Sequence, residues 1–171
     1  MRESVVGRNS PEAAADLAVL AVLAAAQGRL DEAEALQQRA LGIFRRTYGP
    51  DHYEVAVNLN GLAALRQQRG DHPGAEQLQR TALAIKENAF GPDHPEVATL
   101  LNNLAMSLAK QDRPGEATAC YQRAIGIFEA ALGPDHPSAI AGRYNYTRLL
   151  GDTGGEEDPT KQQCRLTEGR L

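Results

Sequence analysis

The chain has 171 residues, 42% apolar and only 5% aromatic with no tryptophan, so it can form one domain-sized unit with a core of Ala, Leu, Ile and Val. A net charge of −4 argues against a general nucleic-acid binder, which needs a basic field over the phosphates. Two cysteines, Cys120 and Cys164, are too few for a disulfide framework or a zinc site and fit a reducing compartment, the cytoplasm; no apolar run nears the roughly 18 residues that suggest a membrane span.

Residues 1–10 precede the first periodic segment. Leu17–Ala26 reads LAVLAVLAAA after Arg2 and Arg8, as the apolar stretch of a signal sequence would. Glu12 and Asp16 speak against that, and so does the segment's place in a repeat register. The tetrapeptide Gly-Pro-Asp-His recurs at Gly49–His52, Gly91–His94 and Gly133–His136, each start 42 residues after the last. A fixed period of this size marks a repeat array. In that register Leu17, Leu59 and Leu101 align, as do Leu20, Leu62 and Leu104. Ala21, Ala63 and Ala105 align, then Ala33, Ala75 and Ala117, and finally Ile43, Ile85 and Ile127.

Within each repeat the apolar positions fall three or four apart, the helical period. The spacing predicts helices over 11–27 and 31–48, 53–69 and 73–90, 95–111 and 114–132, and 137–150. The array thus comprises repeats 11–52, 53–94 and 95–136 and a half repeat, 137–150. Alanines at the crossings let paired helices approach closely, and Leu20 and Leu36 are expected to fill the layers between repeats. Each Gly-Pro-Asp-His loop reads as a stop and a start. Gly91 ends a helix, Pro92 bars its continuation, and Asp93 caps the next with Glu96 three residues on. Asp51 and Glu54 repeat the arrangement, whereas Asp135 is followed by Ser138 in place of the acid. Pro95 and Pro137 sit in first turns.

The fourth repeat is incomplete. Pro159 occupies the register position of Ala33, Ala75 and Ala117, and a proline inside a helix costs about 3 kcal/mol. Residues 151–171 therefore read as a tail, either disordered or with a short helix over 159–166.

Candidate chemistry is sparse. His52, His94 and His136 sit in equivalent loops about 10 Å apart, the spacing of packed helices, too far to share a metal that needs ligands at about 2 Å. They are read as turn residues, and His72 as a loop residue. Cys120 takes the place of Leu36 and Leu78 and is read as core. Glu32 and Glu34 are read as a solvated face. No phosphate loop, nucleophile elbow or zinc motif occurs. The expectation is no catalytic residue, no metal and no cofactor, and an enzyme is the least supported class.

Polar residues on the first helices invite more. Asn60 aligns with Asn102, and Asn145 with Asn103. Asn is a mediocre helix former, but its amide both donates and accepts and can grip the backbone of an extended peptide. Groups about 10 Å apart match about three residues of extended chain. Repeat one has Ala18 and Val19 at the two Asn positions and repeat two has Gly61 at the second, so polarity should rise towards the C-terminal end.

The segments Gly28–Ile43, Gly91–Ala105 and Gly133–Ile140 resemble tetratricopeptide repeats (TPR) of the 42-residue, kinesin-light-chain type, a likeness covering about residues 12–150. That resemblance implies an all-α fold, a right-handed TPR superhelix (α-solenoid) of about three and a half helix hairpins. First helices would line a concave groove that holds an extended peptide or partner helix. It carries ligand contact to Asn103 and Asn145. Helical spacing extends the face to Thr99, Met106, Tyr144 and Arg148, with Asn60 and Asn102 in register. Of the basic residues on first helices, Arg66, Lys110, Arg143 and Arg148, few should face inward, so a neutral or mildly acidic segment suits better than a strongly acidic one. The expected function is a cytoplasmic protein-interaction scaffold without nucleic-acid or membrane partners. Two alternatives accompany it: a homo-oligomer formed through Tyr146, Leu149 and Leu150 of the incomplete repeat, and a ligand-responsive regulatory module.

Overall fold

The computed structural model of the chain describes residues 9–153. They form seven helices in series: α1 (Pro11–Ala26), α2 (Leu30–Tyr48), α3 (Tyr53–Gln68), α4 (His72–Phe90), α5 (Pro95–Ala109), α6 (Pro114–Leu132) and α7 (Pro137–Thr153). No strand occurs among the described residues. Each helix packs chiefly on its neighbours in the chain, the one-dimensional contact pattern of an all-α solenoid. α7 runs three residues past the expected end at 150. Residues 154–171, with Pro159, Cys164 and the expected 159–166 helix, lie outside the described residues.

The helix starts correct one expectation. At α3, α5 and α7 the capping group is the histidine, not the aspartate before it. Nδ1 of His52 accepts from the backbone N–H of Glu54 at 3.3 Å, Nδ1 of His94 from that of Glu96 at 3.2 Å, and Nδ1 of His136 from that of Ser138 at 3.2 Å. His52 and His94 have the extended backbone of a cap residue, with ψ of 145° and 142°, which poises their side chains over the first free N–H groups. Asp51 and Asp93 fall one residue too early and stay exposed. Glu96 serves elsewhere: its carboxylate takes the ammonium of buried Lys86 at 3.0 Å. That ammonium lies over the rings of Tyr53 and Phe90, 5.4 and 5.1 Å from their centroids. A desolvated cation there gains from the negative faces of both rings.

The glycines of the three loops have φ of 90°, 86° and 92° with ψ near 160°. A side chain is excluded from that region, which explains the invariance of this residue across the repeats. Between paired helices the turn uses ordinary left-handed geometry, and there Asp112, at φ 57°, replaces Gly28 and Gly70.

The alanines at the crossings, Ala21 with Ala33, Ala63 with Ala75 and Ala105 with Ala117, are all buried. Leu59, Leu62, Leu101 and Leu104 fill the layers around them, each stabilising the array by roughly 1.5–3 kcal/mol through burial. Leu36 packs partly buried against this core, as expected. Leu20 does not: it is 50% exposed where Leu62 and Leu104 are buried. Leu62 shares a core cluster with Ala33, Ala40 and Leu41 of α2, and Leu104 a cluster against which Leu83 of α4 packs; no second helix precedes α1 among the described residues.

Candidate binding face

The face of interest is built by one stripe of each first helix. In the 42-residue register Val22, Ala64, Met106 and Arg148 share a position, and so do Ala15, Val57 and Thr99. All seven are exposed. Tyr144, in the register of Asn60 and Asn102, is 63% exposed. The stripe therefore shows solvent apolar groups on α1 and α3, a hydroxyl and a thioether on α5, and a phenol and a guanidinium on α7.

The asparagines do not stand singly. Asn103 donates from Nδ2 to Oδ1 of Asn60 at 3.2 Å, and Asn145 donates from Nδ2 to Oδ1 of Asn102 at 3.2 Å. Each pair joins one first helix to the next across a repeat boundary. All four residues are half-buried. An amide has two N–H donors and an oxygen with two lone pairs, so one bond per pair leaves further capacity on each partner. Gln67 adds a third polar join, donating to Ser107 Oγ at 2.8 Å and to the carbonyl of Asn103 at 3.3 Å.

A cleft of about 540 Å³ opens across the C-terminal halves of α3, α5 and α7 and the starts of α4 and α6. It brings together three of the expected residues, Met106, Asn145 and Arg148, with Ala64, Gln67 and Tyr121. Asn60 and Thr99 instead line a smaller hollow of about 90 Å³ beside Lys86 and Glu96. Asn102, Asn103 and Tyr144 line neither. Sequence reasoning missed Gln67 and Tyr121. The signal for Tyr121 was present: it takes the register position of Gln37 and Gln79, placing an aromatic ring between the last two first helices.

Charge on this face is balanced. Arg66 is withdrawn, donating to Glu34 of α2 at 2.9 Å and to Asp71 at 3.1 Å. Arg143 holds Glu129 and the Pro134 carbonyl. Lys110 and Arg148 remain at the cleft, offset by Asp112 and Asp152. Burial pushes the Tyr121 phenol above its ordinary range, against the pull of nearby Arg148. Glu34 is not the solvated carboxylate expected from its position; Arg66 and Arg69 both reach it from α3 and its C-terminal turn. Cys120 is half-buried against α5 and α7. Burial raises its pKa, the opposite of what a reactive thiolate needs.

Known proteins place this geometry in context. The family model for tetratricopeptide repeats matches residues 11–88, 54–130 and 96–158. No curated protein matches the chain. Two crystal structures of a Podosopora anserina kinesin light chain candidate with nearly identical TPR-like repeats are similar. A form carrying one glutamine-to-methionine substitution has a TM-score of 0.73 at 21% identity, covering 96% of this chain and 78% of that one. The other form has a TM-score of 0.72 at 20% identity, covering 98% and 84%. BtubC (BKLC) from P. vanneervenii is similar with a TM-score of 0.76 at 22% identity, covering 95% and 67%. At these identities the likeness concerns the fold. With its matched segments spanning α1 to α7, the chain belongs to the tetratricopeptide repeat family.

Proposed function

We propose that this scaffold binds an extended segment of a partner protein along the face of its first helices, with the cleft at α5 and α7 as the principal anchor. The observation that carries this reading is the convergence of Met106, Asn145, Arg148 and Tyr121 in one cleft of about 540 Å³. An apolar pocket with a few oriented polar groups is the usual form of a ligand site. Asn60, Asn102, Asn103 and Thr99 extend the face towards α3, where half-buried amides hold the backbone of the bound segment. Tyr144 flanks it on α7. With Lys110 and Arg148 offset by two aspartates, the fitting segment is neutral or mildly acidic, carries an apolar side chain for Met106 and Tyr121, and meets the scaffold in the cytoplasm.

The test begins with affinity capture from the native lysate, followed by titration of the captured partner against the chain and against Asn103→Ala/Asn145→Ala and Arg148→Glu. Binding should weaken at least about tenfold, the effect of losing about 1.4 kcal/mol, with helicity retained. Equal affinity for all three would refute the assignment of this face.

A further inference from the structure

One patch remains outside that face. α1 exposes Leu20 and Leu23 at 50% and 53%, whereas the register equivalents Leu62, Leu65, Leu104 and Ser107 are all buried. In α3 and α5 these positions face the preceding repeat, where Ser107 takes the Gln67 amide from α3. In α1 they form the outer side of the first described helix, continuous in register with interfaces already built between the repeats. Exposed apolar area of this kind marks an interaction surface.

The stripe has a polarity that selects its occupant. Asp16, Leu20, Leu23 and Gln27 follow one another four, three and four residues apart, so they line one side of the helix. Asp16 and Gln27 are equidistant from a point between Ala21 and Val22, and so are Leu20 and Leu23. A two-fold axis through that point therefore sets Leu20 against Leu23 of a second copy and Asp16 against its Gln27. Such an interface is self-complementary, as two-fold symmetry requires. The polar ends match in chemistry too. Gln27 accepts from Arg29 Nε through its Oε1 at 3.1 Å, which leaves the amide N–H groups to donate to a carboxylate. Arg29 itself is paired with Glu32, so the Gln27 amide is the donor this end offers. Asp16 carries the carboxylate. A parallel pairing would instead oppose Asp16 to Asp16. Nor can a second copy cover the patch with a second helix, because α2, α4 and α6 each already lie between two first helices.

We propose that two copies of this chain associate through an antiparallel pairing of their α1 helices about this axis, leaving the cleft at α5 and α7 free in each. The contact is small, so the dimer is a concentration-dependent one.

Sedimentation velocity over a range of chain concentrations tests the proposal. The full chain should show a monomer–dimer equilibrium, and Leu20→Glu or Leu23→Glu should weaken it at least about tenfold with helicity unchanged. Tyr144→Glu, at the opposite end, should leave it alone. Orientation is read separately in a Cys120→Ser/Cys164→Ser background. Asp16→Cys chains mixed with Gln27→Cys chains should form a disulfide-linked pair under mild oxidation, and Asp16→Cys chains alone should not. A monomer at every concentration, association indifferent to Leu20 and Leu23, or cross-linking of Asp16→Cys to itself would each overturn the proposal.

Discussion

Asn103 donates to Asn60 at 3.2 Å across the boundary between the second and third repeats, so a candidate ligand-binding amide also ties two first helices together. The two roles separate by measurement. In a double-mutant cycle by urea denaturation, Asn60→Ala and Asn103→Ala should each cost about 0.5–1.5 kcal/mol. Their coupling should be of similar size, because they share one bond. A coupling near zero would show that the bond contributes nothing to stability.

Gln79 is 1% exposed, and neither Oε1 nor Nε2 meets a hydrogen-bond partner among the described residues. Its equivalent in repeat one, Gln37, donates to Oδ1 of Asn58 at 2.9 Å. In repeat three the register position of Asn58 is taken by Leu100, which offers no acceptor. Burying an unpaired amide costs about 1–3 kcal/mol. Gln79→Leu should therefore stabilise the chain by about 1–2 kcal/mol, raising Tm by about 2–4 °C per kcal/mol at this size. Thermal unfolding followed by circular dichroism checks this, and a lowered Tm would contradict it.

Gly61 is tied to the same pair. A Cβ there would lie 2.5 Å from Gln37 Nε2. The amide could move only by giving up its bonds to Asn58. Gly61→Ala should destabilise by about 1–3 kcal/mol, despite the better helix propensity of alanine. Pairing Gly61→Ala with Gln37→Ala should recover part of that loss; no recovery would place the strain elsewhere.

Glu76 supplies a pH dependence. Burial opposes its ionisation, but hydrogen bonds from Arg80, Gln111 and Arg113 outweigh burial and hold its carboxyl below the ordinary 4.5. A folded-state pKa below the unfolded one stabilises the fold above the unfolded value, and the contribution disappears as pH falls through the folded value. The wild-type chain should lose stability more steeply below about pH 4.5 than Glu76→Gln, which should be weaker by about 1 kcal/mol at neutral pH. Parallel slopes for the two chains below that pH would remove Glu76 from the account.

The architecture was legible because the 42-residue period carries loops, crossing alanines and layer leucines together. The helix ends followed from Gly and Pro. What escaped was chemistry that depends on a neighbouring repeat. Asp93 is the better cap by residue type, yet His94 has the backbone geometry for the role, and only coordinates show which residue bends. The asparagines stood out as polar residues on one face, but the offset pairing of Asn60 with Asn103 and of Asn102 with Asn145 depends on how far successive helices shift. Glu34 looked solvated because its partners, Arg66 and Arg69, come from the next helix and its end. Leu20 was expected to be buried because register alone does not reveal that nothing precedes it in the described array.

The orphaned Gln79 says something about order along the array. Its natural counterpart, Asn58, belongs to the very repeat in which Gln79 resides. If a duplicate of residues 53–94 were spliced in behind His94, the first copy's Gln79 would face the duplicate's Asn58, with the duplicate's Gly61 leaving it room. A lengthened version of this solenoid would match itself at that seam better than the natural succession does.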